Sequence, residues 1–438
     1  MDNHVPSAGV VNSSELSPPI AFNPLHSTAY RQNSLSSSSL SVHEMGHGAK
    51  SECVSENKED VVKSPGSQKL KPYPGESTSV SSIVPLTSEL RSPLFSNQRE
   101  GSQDIKHELD KELSKSLHYA LCLLHLAVFG ILGVLTRYIL GLLFGPGIGR
   151  VTSDQTILYH DLPSNMVGSF VMGWLGVVFK EDISNVSEYL AIALTTGYLG
   201  SLTTFSGWNQ KMLEHSAAGN WLYSVLGYLI GLSLVAFASI ISGIETAKGF
   251  RWLLSRPKMS SGSETGRSKI NIKCHLEAMI VLLLILGLLW GVSGVLLISD
   301  FKNGEKSVVW IGCIVGPFGV WIRWGLARLN GRGLGRTGSL NWIPFGTLIA
   351  NVSACCVMAA LATTKKLVDT RNCDTIITGI QFGLLGCLST VSTFVAEFNA
   401  MRESMHPWRA YAYAMITICA SYFLGILIYC VPIWRMQE

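Results

Sequence analysis

The sequence contains no catalytic constellation. It has no Gly-x-Ser-x-Gly, no His-Glu-x-x-His, no phosphate-binding glycine loop and no paired carboxylates inside an apolar run. These absences remove the common hydrolases, metalloproteases and nucleotide-driven enzymes, so no enzymatic activity is expected. Charge is also scarce. Only 15% of the 438 residues are charged, against 47% hydrophobic, and the apolar residues come in long blocks, which argues against a soluble chain. No basic patch interleaved with aromatics is present, which excludes a nucleic-acid partner. The ten cysteines include no Cys-x-x-Cys pair. Cys355, Cys356 and Cys419 sit inside hydrophobic runs and read as small packing residues, not as a disulfide framework. No apolar stretch opens the chain, so no cleaved signal peptide is expected. The apolar runs are almost free of acids; Glu397 is the one clear carboxylate near their depth, and it lies toward an end. Proton pumps and cation carriers place Asp or Glu near the midplane. A passage lined by hydroxyls, amides and aromatic edges suits an anion instead.

What is there begins with a polar tail. Residues 1–105 are rich in Ser, Pro, Asn, Glu and Lys, and the tract from Ser34 to Ser41 is nearly all serine. Such a segment buries too little apolar surface to offset its chain entropy. Apolar runs of membrane-crossing length follow at ~20 residues each: Leu121 to Leu143, Leu162 to Phe179, Tyr189 to Lys211 and Trp221 to Ile244. A basic linker holds Arg251, Arg256, Lys258, Arg267 and Lys269, and a lone run, Ala278 to Ile298, follows it. Four more runs complete the chain: Val308 to Leu329, Trp342 to Thr363, Thr375 to Ala400 and Ala410 to Ile433. The expected fold is therefore an all-α membrane protein of nine spans, grouped four, one, four.

The two groups of four are a repeat. Gly130-x-x-Gly133-x-x-x-Arg137-Tyr138 recurs as Gly316-x-x-Gly319-x-x-x-Arg323-Trp324, and Asn165-x-x-Gly168 recurs as Asn351-x-x-Ala354. Gly200, Thr203 and Thr204 recur as Gly386, Ser389 and Thr390, and every pair is 186 positions apart. One offset held through three separate runs marks a duplication. An odd span between two four-helix units inverts the second, and loop charge follows: the loop carrying Arg328, Arg332 and Arg336 is basic, while its counterpart, Gly141 to His160, has only Arg150. Lys365, Lys366 and Arg371 run against this topology, which puts them outside. The expected division is a disordered cytosolic tail (1–118), a first unit (119–246), a linker with its linking helix (247–304) and a second, inverted unit (305–438).

The chemistry centres on Gly200-Ser-Leu-Thr-Thr-Phe-Ser-Gly-Trp208 and its copy Gly386-Cys-Leu-Ser-Thr-Val-Ser-Thr-Phe394. Backbone at membrane depth outside a regular helix must be buried in protein or line a wet cavity, and matching interruptions in two halves point to a transport site. Carbonyls freed by an unwound turn are ligands for a hard cation, so Gly200, Thr203, Gly386 and Ser389 are candidates to hold Na+; alternatively hydroxyls rebond those carbonyls with no ion. Asn165 and Asn351 each offer two N–H donors to an anion, or glue helices together. Phe205 and Phe394 flank the breaks, and ring edges attract anions. Tyr413, Thr417 and Ser421, spaced by four, put three hydroxyls on one helix stripe, where the first unit has Gly227, Gly231 and Val235. Arg137 and Arg323 fit either an anion-drawing vestibule or a structural role capping carbonyls.

These motifs together (Gly-x-x-x-Arg-Tyr, Gly346-Thr347-x-x-x-Asn351 and Gly-x-x-Thr-Thr-Phe-Ser, in order and twice) resemble the fluoride channel family, in its fused eukaryotic form, over about residues 120–435. The resemblance implies a dual-topology double-barrelled fold, passive fluoride export and a central structural Na+ held by the helix breaks. It also implies pores that each use two phenylalanines, one per unit, with the Asn and the hydroxyl ladder. This chain departs from that pattern. Trp208 stands in the second phenylalanine position of the first unit and Val391 in the first position of the second, so one pore owns Phe205 and Phe394 and the other is left with Trp208 and Val391. Asp161 stands where the second unit has Thr347. The expectation is one intact and one degenerate pore in a monomeric pseudo-dimer, in the plasma membrane lipid bilayer, with the tail cytosolic and the C-terminus extracellular. An ion-coupled transporter with inverted repeats for a small anion or metabolite remains the alternative, and an inert membrane scaffold a third.

Overall fold

The computed structural model describes residues 96–153, 156–254, 272–301, 305–330 and 340–438. The serine-rich tail up to residue 95, the linker charges Arg256, Lys258, Arg267 and Lys269, and Arg332 and Arg336 of the basic loop lie outside the described residues. The chain divides into two compact units, Met1–Ile105 and Lys106–Glu438. The architecture below is that of the second; of the first, only the opening of one helix is described.

Every described regular element is helical. In order they are α1 (Ser96–Phe144), α2 (Leu162–Met172), α3 (Lys180–Val186), α4 (Glu188–Ile192), α5 (Gly200–Leu202), α6 (Phe205–Ala217), α7 (Trp221–Ser233) and α8 (Ile240–Leu254). After the linker come α9 (Ile272–Asp300), α10 (Glu305–Leu326), α11 (Phe345–Val368), α12 (Arg371–Ile380), α13 (Gly386–Leu388), α14 (Ser392–Arg402), α15 (Trp408–Gly425) and α16 (Val431–Gln437). Widened π-helical turns join several of them, among them Ala193–Leu199 before α5 and Gln381–Leu385 before α13. Helix α1 starts inside the stretch read as tail. At the far end of α11, Asp369 takes a left-handed conformation (φ 42°) that stops the helix.

Seven of the described helices are long and apolar enough to cross a membrane, and an eighth span is counted if the bent pair Leu162–Val178 and Lys180–Val186, which turns by 66°, is one crossing. The run from Tyr189 to Lys211 leaves helical conformation at Thr203 and Thr204 and is not among these eight; its counterpart Arg371–Arg402, interrupted at Ser389 and Thr390, is. Helix α9 is the most lipid-facing of the candidates, with 11% of its apolar window buried, as suits a connector.

Lipid offers apolar side chains as good a home as a neighbouring helix does, so close backbone approach and interhelical hydrogen bonds hold such a bundle. Small residues supply the approach. A methyl added to Gly133 would lie 2.5 Å from the Tyr198 carbonyl oxygen, and one on Gly383 would lie 2.5 Å from the Gly312 Cα. Helices α1 and α10 meet with Gly130 against Val320 and Gly316 against Val134. Advancing four residues on one helix moves the contact back four on the other, so the two equivalent helices run in opposite directions where they touch.

Candidate functional site

The site starts from a backbone accounting. In an α-helix the amide of residue i returns to the carbonyl of i−4. Past Thr203 the amides are donated elsewhere: Thr204 N to Asn165 Oδ1 (2.8 Å), Phe205 N and Ser206 N to Ser389 Oγ (3.2 and 3.0 Å), and Gly207 N to Thr204 Oγ1 (3.3 Å). The second copy does the same. Thr390 N goes to Asn351 Oδ1 (2.8 Å), Val391 N and Ser392 N to Thr203 Oγ1 (3.2 and 3.0 Å), and Thr393 N to Thr390 Oγ1 (3.5 Å). Each broken helix therefore caps the other: a hydroxyl of the second unit satisfies the first amides of α6, and a hydroxyl of the first satisfies those of α14. Thr203 and Thr390 hydroxyls meet at 3.2 Å and those of Thr204 and Ser389 at 3.1 Å, closing the joint. In consequence the carbonyls of Gly200 and Thr203, and of Gly386 and Ser389, lose their helical amide partners.

The two asparagines hold these breaks. Asn165 Nδ2 donates to Thr204 O and Asn351 Nδ2 to Thr390 O, both at 3.1 Å, and both side chains are fully buried. Each amide thus clamps one residue of the broken turn of its own unit at both ends. The difference lies in the remaining N–H. Asn165 spends it on the Tyr159 hydroxyl at 3.1 Å. The residue 186 positions on from Tyr159 is Phe345, which has no hydroxyl, and among the described residues the second N–H of Asn351 has no acceptor.

Arg137 and Arg323 are buried and cross to the opposite unit. Arg137 donates to Phe382 O and Arg323 to Thr196 O, both at 2.8 Å; the two acceptors are equivalent positions of the repeat. Arg323 Nε also donates to Cys387 O at 2.7 Å, a carbonyl freed by the break. The guanidinium groups lie against Gly386 and Gly200, where a Cβ would fall 2.0 Å and 2.2 Å from their nitrogens. The glycines are required by that contact. Of the two roles read from the sequence, this placement matches the carbonyl-capping one.

The aromatic residues separate the two halves. Phe205 and Phe394 pair at 5.8 Å between ring centroids, and Phe394 meets Tyr413 at 5.2 Å. Tyr413, Thr417 and Ser421 are all buried, so their stripe faces the interior. Thr417 Oγ1 donates back to Tyr413 O (2.8 Å), while Ser421 Oγ lies beside the buried Cys355 thiol. Trp208 fills the other half: it stacks on Tyr159 (5.6 Å, 3°) and meets Tyr228 at 5.6 Å, with no exposed surface. A Cβ on Gly231 would lie 2.6 Å from the Trp208 ring, and one on Gly227 would lie 2.2 Å from Met212 Sδ. The first unit has glycines in place of the ladder because larger side chains of α6 occupy that space. Val391 is buried beside the same aromatic cluster.

Glu397, the one carboxylate read near the depth of the apolar runs, has partners on two neighbouring helices. It is half-buried, and its two oxygens accept from Thr347 Oγ1 (2.7 Å) and the Tyr413 hydroxyl (2.8 Å). The signal was present in the sequence: Glu397 lies three residues after Phe394 and Thr347 lies four before Asn351, so each shares a helix face with a residue already singled out. The repeat places Lys211, Asp161 and Gly227 at the positions of Glu397, Thr347 and Tyr413, and Lys211 instead pairs with Glu214 at 3.1 Å. Tyr159 and Tyr228, which shape the filled half, were also missed; Tyr159 belongs to what read as an external loop.

Membrane-length helices interrupted at matching places and docked through those interruptions define a two-copy membrane transport protein. A family described as "CrcB-like protein, Camphor Resistance (CrcB)" matches residues 124–244 and again 310–429, more than half of the chain. The chain belongs to this family, with the family's unit present twice. A fluoride-specific ion channel of Listeria monocytogenes is 30% identical over 128 residues, 27% of this chain and 88% of the relative. Fluoride-specific ion channels of Chlorobium chlorochromatii and Geotalea uraniireducens are 34% and 36% identical, each over 30% of this chain and 93% and 90% of the relative. No solved structure matches. The family is one of ion channels and not of enzymes.

Proposed function

We propose that this chain is a fluoride-selective passive channel that exports fluoride from the cytosol, built from two oppositely oriented four-helix units, with one conducting passage and one filled in. The observation that carries the reading is the meeting of Phe205 of one unit with Phe394 of the other beside the Tyr413 stripe. Fluoride is small and strongly hydrated, so a passage must replace its water with donors that cost no reorganisation. The spare N–H of Asn351, the Ser421 hydroxyl and the ring edges are such groups. The antiparallel contact of α1 with α10 supports inverted units, and with the linking helix the broken run makes nine crossings. The tail is then cytosolic and the C-terminus extracellular, in the plasma membrane, and the chain works as a monomeric pseudo-dimer. A negative-inside membrane drives the anion outward with about 2.3 kcal/mol per charge per 100 mV, so no fuel is needed.

The family resemblance also implies a structural Na+. The carbonyls of Gly200, Thr203, Gly386 and Ser389 fit it in donor chemistry, since all four come from turns whose amides are donated to side chains. When bound, the ion would pin the two breaks together; this chain's own residues already join them through the Thr203 and Ser389 hydroxyls.

The test is fluoride and chloride efflux from reconstituted vesicles, driven by a potassium gradient and a potassium ionophore. Fluoride efflux that needs the ionophore, with chloride retained, is the expected result. The half-buried carboxylate of Glu397 favours one competing reading, a proton-coupled transporter. Efflux that follows a pH gradient and ignores the ionophore would select it.

A further inference from the structure

Four rings meet where α1, α4 and α9 come together. Helix α1 presents His118 and His125, and the Tyr189 ring of α4 stacks on both (5.5 Å each, at 24° and 15°). His275, in the first turn of α9, meets Tyr189 edge-on at 5.8 Å and His118 at 5.2 Å. His125 is fixed by its own helix, since its Nδ1 donates to Leu121 O at 2.8 Å. The residues 186 positions on from His118, His125 and Tyr189 are Gly304, Ile311 and Thr375. The cluster is therefore no part of the repeated frame. It belongs to the first unit and the linking helix alone.

For α9 this contact moors one end. Leu276, Glu277, Ala278, Ile280 and Val281 are all exposed, and the apolar packing of the helix begins only at Leu282, Leu286, Leu289 and Trp290. For the first unit the contact lies at the start of the broken run. Tyr189 opens that run, and Gly197 further along packs on α1 so closely that a Cβ would lie 3.0 Å from the Phe129 Cβ. Thr203 and Phe205 follow on the same run, so the rings, the α1 face and the break are joined by continuous packing.

The other ionisable groups beside the rings are Tyr119 and Cys122 on α1, Glu188 on α4 and Arg328 after α10. Glu188 and Arg328 both lie near Cys122, and Arg328 covers the Tyr119 and Trp324 rings at 4.6 and 4.2 Å. On α9 itself Glu277 is exposed. Among side chains of ordinary acidity only histidine changes charge between pH 5 and 8. A first proton is tolerated beside Tyr189, because an aromatic face attracts a cation. A second puts like charges on two rings 5.2 Å apart, which drives them from each other.

We propose that His118, His275 and Tyr189 form an acid-released latch. With both histidines neutral, the rings hold the linking helix on the first unit. With both protonated, His118 and His275 part, the first turns of α9 come loose, and the start of the broken run slackens, which lowers fluoride current. The effect on current rests on the proposed channel reading; the release of α9 does not. In the proposed topology the latch faces the cytosol.

The experiment uses the full chain and two readouts. In a planar bilayer, pH is lowered from 7.5 to 5.5 on one side at a time. Acid on the latch side lowers wild-type fluoride current about five-fold, and acid on the other side does not. His118→Phe and His275→Phe keep a ring in place but leave one histidine, so each loses the acid effect; His406→Gln, an exposed histidine elsewhere, retains it. In detergent, amide hydrogen exchange over residues 276–284 is compared between wild type and His275→Phe at one pH. At pH 5.5 the wild type exchanges about ten-fold faster, and at pH 7.5 the two agree. Should one phenylalanine variant fail to fold, the other decides. Wild-type chain without fluoride current would sink the channel reading and leave exchange to judge the latch. An acid effect that survives in the phenylalanine variants, or equal exchange at pH 5.5, would overturn the latch alone.

Discussion

Asn165 and Asn351 stand 186 positions apart and make the same pair of bonds to the broken turn, yet only Asn351 keeps a donor to offer. The contrast extends outward from them. On one side Tyr159, Trp208 and Tyr228 stack into a solid cluster, with glycines at 227 and 231 making room. On the other, Phe394 leans on Tyr413 and the hydroxyl stripe is intact. The joint itself is shared. Reciprocal caps, asparagine clamps and crossed arginines recur in both halves, because each half's backbone is completed by the other's side chains. The comparison teaches that two copies can diverge in the side chains around the breaks while each still supplies hydroxyls to the other's freed amides.

The largest effect tests the shared part. Gly386→Val and Gly200→Val each push a side chain into a buried guanidinium held by carbonyl bonds. Overpacking of that kind costs about 1–3 kcal/mol, and displacing a buried charge adds to it. Both variants should lose most of their folded, monodisperse yield on size-exclusion chromatography, and by similar amounts. A clear loss for one alone would break the symmetry claimed for the joint.

The asparagines give a smaller and one-sided effect. Asn351→Asp and Asn165→Asp keep the acceptor for the Thr204 or Thr390 amide and remove the donors. Each should cost a similar amount of thermal stability, about 1–3 kcal/mol for the carbonyl left without its donor. Fluoride efflux should fall roughly ten-fold or more in Asn351→Asp, worth about 1.4 kcal/mol on the transit barrier, and stay near wild type in Asn165→Asp. Matching losses of efflux would mean that both amides touch the ion.

The repeat and the breaks were legible in the sequence, because each is written in local residue order at a fixed offset. Three features were not. The trans caps need Thr203 and Ser389 to reach amides 188 and 184 positions away, a distance that only docking of the two copies closes. Glu397 read as the end of a run; its place in the site depends on α11, α14 and α15 meeting, and no single helix pattern carries that. Tyr159 sat in a presumed loop, and its role appears only when it is found stacked on Trp208. Arg137 and Arg323 were ambiguous for a related reason, since their acceptors belong to the opposite unit.

The most direct measurement compares fluoride efflux of Phe394→Ile with that of Trp208→Ile in the same vesicles, at equal protein density. With a single conducting passage, Phe394→Ile should lower efflux by about two orders of magnitude, near 2.7 kcal/mol, while Trp208→Ile leaves it within two-fold. Comparable losses in the two variants, or a loss confined to Trp208→Ile, would contradict it.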